Sequence, residues 1–339
     1  MSKELKKNQW NNNSSLSPEK IMEMALAFQR SRILLTAFEL DIFTIIGDKK
    51  IYSSDVANAL GINEKAINRL MNALCAIDLL IKKDERFSNT PLSSTFLVKG
   101  KPAYMAGLMH SIHLWDTWST LTEAVQEGKS VIDQKLNDRG DEWLSAFISA
   151  MHGHAYMQAP GIVALLDLAG VKNVLDIGGG SAAYSMAFVR AKKDIKATVF
   201  DLPNVIPLTK KYIDQEGLLY AIQTVEGDYN IDGLGNGFDI IFLSAIIHIN
   251  SFKENSNLIK KAYKSLNPGG QIVILDFIMD EDRTTPVFGA LFSLNMLVST
   301  KCGDTYTESE VKGWLMGAGL TDVYRKDTEA GTSLIIGRK

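Results

Sequence analysis

The stretch from Val174 to Pro203 admits few folds. Val174-Leu175-Asp176-Ile177 is a short apolar run of the kind that forms a buried strand, and it ends on Gly178-Gly179-Gly180-Ser181. Glycines at such a turn allow backbone dihedrals, and a close approach by a ligand, that side chains would block. The residues from Ser181 (Ser-Ala-Ala-Tyr-Ser-Met-Ala-Phe) have helical character, so the turn feeds a helix N-terminus. A second apolar run, residues 197–200, ends on Asp201-Leu202-Pro203, with Asp201 placed 21 residues after Gly180. Strand, glycine turn, helix, strand and acid describe a nucleotide site in which Asp201 accepts hydrogen bonds from ribose hydroxyls. Asp176 speaks to the charge of the ligand. A carboxylate two residues ahead of the first glycine would repel a diphosphate and suits a ligand carrying an ammonium and a sulfonium.

From Val171 onward strands and helices alternate, which predicts a doubly wound sheet. The strand candidates are residues 174–177, 197–200, 223–226, 238–243, 272–277, 323–326 and 333–337. Only the short connection 327–332 separates the last two, which predicts a hairpin and an antiparallel strand at one side of the sheet. Dinucleotide folds do not usually finish that way. With Asp176 and the glycine turn, this ending resembles the class I methyltransferases that use S-adenosylmethionine. The expected fold is α/β: a C-terminal Rossmann-like class I methyltransferase sheet with a terminal antiparallel strand, after an all-α/winged-helix N-terminal domain.

A chain of 339 residues exceeds one average domain. Its 46% hydrophobic and 22% charged content is that of a globular protein with a sizeable core. A formal charge of −3 argues against an overall attraction to nucleic acid or to an anionic membrane. Two cysteines, Cys75 and Cys302, are too few for a disulfide framework and lack metal-site spacing, which fits a reducing cytoplasm. No apolar run reaches the ~18 residues of a membrane helix. Residues 1–17 read as a disordered polar tail.

Ser17-Pro18-Glu19 opens a helix with a cap, a first-turn proline and an acid. Farther on, a short helix from Ser53, a turn at Gly61 and a longer helix from Glu64 to Leu80 precede a strand, a charged turn and a strand. Residues 40–98 therefore resemble a winged helix, within a first domain spanning 18–100. Its second helix carries Lys65 and Arg69 but also Ile67, Leu70, Met71, Leu74 and Leu79. A DNA reader needs cationic and amide groups on its groove face, so packing, partly against another subunit, explains this helix better. Residues 101–165 read as entirely helical and rich in Met, Trp and His, preceding the cofactor domain of residues 166–339. His110, Trp115, Trp118, Phe147, Met151 and His152 could line a pocket for a flat organic molecule. His110 with His113, or His152 with His154, do not suggest a metal, because i,i+2 residues on a helix face different directions.

His248 follows the 238–243 strand. Ligands of open parallel sheets sit beyond the strand carboxyl ends near the middle of the sheet, so His248 points to the same crevice as the glycine turn. Imidazole, with a pKa near neutrality, can take a hydroxyl proton during an in-line methyl transfer to oxygen.

The order of residues 178–181, 200–203, Gly227-Asp228-Tyr229, His248, Pro268-Gly269-Gly270 and Trp314-Leu-Met-Gly-Ala-Gly-Leu resembles the S-adenosylmethionine-dependent O-methyltransferases of the caffeic acid and hydroxyindole type. The similarity spans residues 20–339 and is closest to bacterial members. It implies a homodimer intertwined through the N-terminal domain, S-adenosylhomocysteine as product, no metal, and a small hydroxylated, aromatic acceptor of secondary metabolism. It further implies that Asp201 binds ribose, that Asp228 meets the adenine amino group with Tyr229 against the ring, and that His248 is the general base. Asp276 matches the acid that orients this histidine, with Asp304 the candidate for a second one. Asp176, Gly178, Gly180, Ser181 and Leu202 complete the cofactor site. Ser244 falls where plant members carry a lysine near the cofactor carboxylate. Asn295 and Met296 resemble acceptor-facing positions. Three readings compete with this one: a relative that methylates carbon or nitrogen or runs another reaction on the same cofactor, a DNA-binding regulator, and a dehydrogenase.

Overall fold

The structure, a computed structural model, describes residues 17–132, 140–328 and 331–339. The expected polar tail lies outside the described residues except for Ser17. The chain packs into two units, one ending at Tyr104 and one running Met105–Lys339. The helices of the 101–165 stretch mostly belong to the same unit as the sheet.

The first unit holds α1 (Pro18–Glu39), α2 (Ile42–Ile46), α3 (Ser53–Leu60), α4 (Glu64–Ala76), the antiparallel pair β1 (Leu80–Lys83) and β2 (Arg86–Asn89), and α5 (Pro91–Phe96). Helix, helix, then a two-stranded wing matches the winged-helix expectation. Helix α4 begins at Asn63, whose side chain accepts from the Ala66 amide. It stops at Ala76, four residues short of the expected end, and Asp78 adopts φ +59° beyond it. Ile67, Met71 and Leu74 are buried on one face, the i, i+4, i+7 spacing of a core stripe.

The second unit opens with α6 (Leu108–Trp118), α7 (Leu121–Glu127) and α8 (Gly140–Ala164). Its sheet is built from β3 (Asn173–Ile177), β4 (Lys196–Asp201), β5 (Ile222–Glu226), β6 (Phe238–Ser244), β7 (Leu266–Asp276), β8 (Thr321–Asp327) and β9 (Ser333–Arg338). The strand order is β5-β4-β3-β6-β7-β9-β8; β3 to β7 are parallel, and β9 runs antiparallel to both β7 and β8. The terminal hairpin is therefore present, with β9 inserted between β7 and β8.

Alternate residues of the central strands feed two cores. Val174, Ile240, Phe242 and Val273 pack on the side of α8 and α9 (Ala183–Ala191), while Leu175, Ile241, Leu243 and Ile274 pack on the side of α11 (Phe252–Ser265) and α13 (Glu308–Ala318). A strand buried on both faces reads as a near-continuous apolar run, which is why these strands were legible. Helices α10 (Ile206–Gln215) and α12 (Val287–Ser299) complete the unit. Among the described residues no helix is long and apolar enough to cross a membrane.

Candidate active site

Register brings the strand ends together. Ile177 pairs with Phe200 on one side and Leu243 on the other, and Leu243 pairs with Ile274. Gly178, Asp201 and Ser244 each follow that row by one residue, and Asp276 by two, so all four lie along one edge of the sheet. This edge is the carboxyl end of the parallel strands, where α/β sheets bind ligands.

At the glycine turn, Gly178 and Gly180 have φ of +65° and +53°, and a Cβ on Gly178 would come 2.2 Å from Ile246 Cδ1. The turn is closed by the Gly178 amide donating to the Phe200 carbonyl at 2.7 Å. Asp201 Oδ2 accepts from the Gly180 amide at 2.8 Å and Oδ1 from the Leu202 amide at 2.7 Å. Burial raises the Asp201 carboxyl to about 6 against the pull of those two amide bonds. Asp176 is 1% exposed and lies beneath the turn, where its Oδ2 accepts from the Ser185 hydroxyl at 2.7 Å. Burial first, and the Asp201 charge after the opposing Ser185 bond, push its pKa to about 6. Asp176 thus lies against the turn, its Cγ 2.8 Å from where a Cβ on Gly179 would be.

Ser181 is buried, and its hydroxyl lies 2.9 Å from His152 Nδ1. Thr209 donates to the Gly180 carbonyl at 2.5 Å, a restraint from α10 that the sequence reading did not find. Leu202 packs on Trp143, Leu144 and Ile148 of α8. Beyond β5, Asp228 Oδ1 accepts from the Asn230 amide, and the Tyr229 hydroxyl donates to Asn250 Oδ1 at 3.0 Å. Burial, opposed by the Ser244 side chain, pushes the Tyr184 phenol up to about 12.

His248 sits on a single 3-10 turn, Ile247–Ile249, and is 7% exposed. Its Nδ1 lies 2.8 Å and 3.0 Å from the two oxygens of Asp276, itself 3% exposed. An ionised carboxylate only accepts, so a neutral imidazole in this pairing would carry its proton on Nδ1 and leave the Nε2 lone pair available. Phe292 of α12 meets the imidazole edge to face at 4.9 Å, 89°. Asp304 is placed otherwise than expected for an orienting acid. Its amide donates to the His248 carbonyl at 3.0 Å, while its carboxylate accepts from the Thr305 amide and lies 3.6 Å from Arg283.

Residues 118–321 match the model of the O-methyltransferase domain, and residues 22–99 that of the O-methyltransferase dimerisation domain. The chain belongs to the O-methyltransferase family. It is 30% identical over 313 residues to the 3-hydroxy-5-methyl-1-naphthoate 3-O-methyltransferase of Streptomyces sahachiroi, covering 90% of each chain. It is 29% identical to the tetracenomycin polyketide synthesis 8-O-methyl transferase TcmO of Streptomyces glaucescens, over 95% of this chain and 97% of the relative. The solved human N-acetylserotonin methyltransferase, in complex with SAM, superposes with a TM-score of 0.83 at 26% identity, over 97% of this chain and 99% of the other.

In this O-methyltransferase the helices before the sheet supply an aromatic group. Phe147 stacks on Trp143 at 5.2 Å, and His110 meets Phe147 edge on at 5.3 Å. The Trp118 indole donates to Asn295 Oδ1 at 2.9 Å, joining α6 to α12. Trp115 and Met151 are partly buried, and Met296 is buried at 5% exposure. His152 stands apart from the other acceptor-side candidates, because its partner is Ser181 on the glycine turn. Among the described residues no group of three or more His, Cys, Asp or Glu could hold a metal ion.

The support of the His248 turn escaped sequence reasoning. Asn250 donates to Asn255 Oδ1 at 3.1 Å, Asn255 donates to the Ile247 carbonyl at 2.8 Å, and the Tyr306 hydroxyl donates to the Asn250 carbonyl at 2.6 Å. One signal was available. Asn255 shares the buried stripe of Leu258, Ile259 and Ala262, and an amide on an apolar helix face needs a buried partner.

Proposed function

We propose that this O-methyltransferase takes its methyl group from S-adenosylmethionine and delivers it to a hydroxyl of a small aromatic metabolite, with His248 as general base. The observation that carries the reading is the buried His248–Asp276 pair at the carboxyl edge of the strands that hold the glycine turn. The cofactor fits the residues present. Asp201 keeps lone pairs for ribose hydroxyls, Asp228 and Tyr229 would take the adenine, and Ser244 with the turn would take the amino-acid end. Two carboxyls raised to about 6 by burial are relieved by a cation. When bound, S-adenosylmethionine supplies an electrophilic methyl on a sulfonium, leaving S-adenosylhomocysteine.

His248 does the remaining work on the acceptor. Nε2 takes the hydroxyl proton as the oxygen becomes nucleophilic, and Asp276 stabilises the imidazolium that forms. Phe292 and the Asn250–Asn255–Tyr306 bonds fix the ring, and its burial keeps bulk water from competing for the proton. The aromatic and polyketide-pathway names of the relatives support an aromatic acceptor, and the dimerisation domain supports a homodimer. Free Cys75 and Cys302 fit a cytoplasmic enzyme.

Titration calorimetry tests the cofactor: saturable binding of S-adenosylmethionine and not NADH, weakened in Asp201→Ala, is expected. Methylation of hydroxynaphthoates that is lost in His248→Ala is expected to follow. Preference for NADH would sink the proposal, and a mass of one chain by light scattering would sink the homodimer.

A further inference from the structure

Arg283 lies seven residues beyond Asp276, and its guanidinium reaches the segment packed behind His248. Its Nη1 donates to the Thr305 carbonyl at 2.7 Å, and its Nη2 donates to both Glu310 oxygens at 2.7 Å. The Asp304 carboxylate is 3.6 Å away. This segment touches the His248 turn at two points. The Asp304 amide donates to the His248 carbonyl at 3.0 Å, and the Tyr306 hydroxyl donates to the Asn250 carbonyl at 2.6 Å. The Met279 amide donates to the Tyr306 carbonyl at 2.9 Å, tying the same segment to the chain that leaves Asp276.

The backbone of Arg283 has φ +56°, a conformation that side-chain-bearing residues rarely adopt. A fork of fixed N–H donors is what one carbonyl and one bidentate carboxylate require together, and a lysine ammonium does not reproduce it. Arg283 is 42% exposed, so its ion pairs add little to global stability.

We propose that Arg283 is a positioning residue for methyl transfer: by fixing Thr305 and Asp304 it sets the His248 carbonyl, and through it the imidazole against Asp276. The inference rests on the reading of His248 as the base.

The test uses the full chain labelled with 15N-histidine, in wild type, Arg283→Lys and Arg283→Gln. The Nδ1–H signal of His248, assigned by its loss in His248→Ala, is expected downfield in wild type and shifted or broadened in both Arg283 variants. Affinity for S-adenosylhomocysteine is expected to stay within about twofold, because the cofactor turn is not touched. With 1-naphthol as acceptor, kcat is expected to fall on the order of tenfold to 100-fold with KM unchanged. A His248 signal unmoved in both variants overturns the inference. So does an equal change in Glu281→Gln, whose carboxylate bonds Ser309 and not the His248 turn. Methylation that survives His248→Ala would overturn the base alone, and the NMR signal would still decide the role of Arg283.

Discussion

His152 fastens helix α8 to the glycine turn: its Nδ1 is 2.9 Å from the Ser181 hydroxyl, and its ring stacks on Tyr212 of α10 at 4.2 Å. Burial lowers the His152 pKa, with Glu216 opposing, which favours the neutral ring. One hydrogen bond of this kind contributes about 1 kcal/mol. His152→Ala is therefore expected to weaken S-adenosylmethionine binding by about fivefold, read by calorimetry, with KM for the acceptor little changed. An effect on acceptor KM alone would return His152 to the acceptor side.

Asp176 and Asp201 predict how cofactor affinity follows pH. Both carboxyls are raised to about 6, so between about pH 4 and 6 the folded protein holds protons that the unfolded chain has released. Stability without ligand then falls as pH rises through this window. A bound cation favours the charged carboxylates, so affinity runs the other way and weakens as pH falls below about 6. Calorimetry from pH 5 to 8 should show tighter binding at the upper end with proton release near the midpoint. Asp201→Asn should flatten the curve and lower affinity throughout.

The His248–Asp276 pair predicts a separation of binding from chemistry. His248→Ala is expected to lower kcat by about 10²- to 10⁴-fold while leaving the cofactor dissociation constant unchanged. Asp276→Asn should lower kcat as well, since an amide can donate to Nδ1 and so favour the tautomer with its proton on Nε2. Full activity in Asp276→Asn would show that the tautomer is set by another group.

The central strands were legible because a parallel strand covered on both faces reads as an apolar run, and four of them end in a glycine, acid or serine along one edge. Helix starts were less so. Helix α9 begins at Ala183 and not at Ser181, because Ala182 takes φ +65° to close the turn, which no local composition announces. Asp304 shows the same limit inside the site. The presence of an acid near His248 was readable, but its side chain turns to Thr305 and Arg283 while its amide meets the histidine. Asn250, Tyr306 and Arg283 act through contacts tens of residues apart in sequence. Such contacts follow from how the segments fold together and leave no periodic trace.

Gly303 isolates the backbone support of the base from its side chains. A Cβ there would lie 2.3 Å from the His248 carbonyl oxygen and 2.6 Å from Thr300 Oγ1. Neither the carbonyl nor the short threonine can yield cheaply, so the 3-10 turn must shift away from segment 303–307. The Asp304 amide would then lose its bond to His248, and the imidazole would move against Asp276. Gly303→Ala is expected to cost about 1–3 kcal/mol of stability, measured by urea unfolding. It should also lower kcat on the order of 100-fold with cofactor affinity retained. Because the glycine turn belongs to a different strand end, a parallel loss of cofactor binding would mean that the two halves of the site are held by one shared segment.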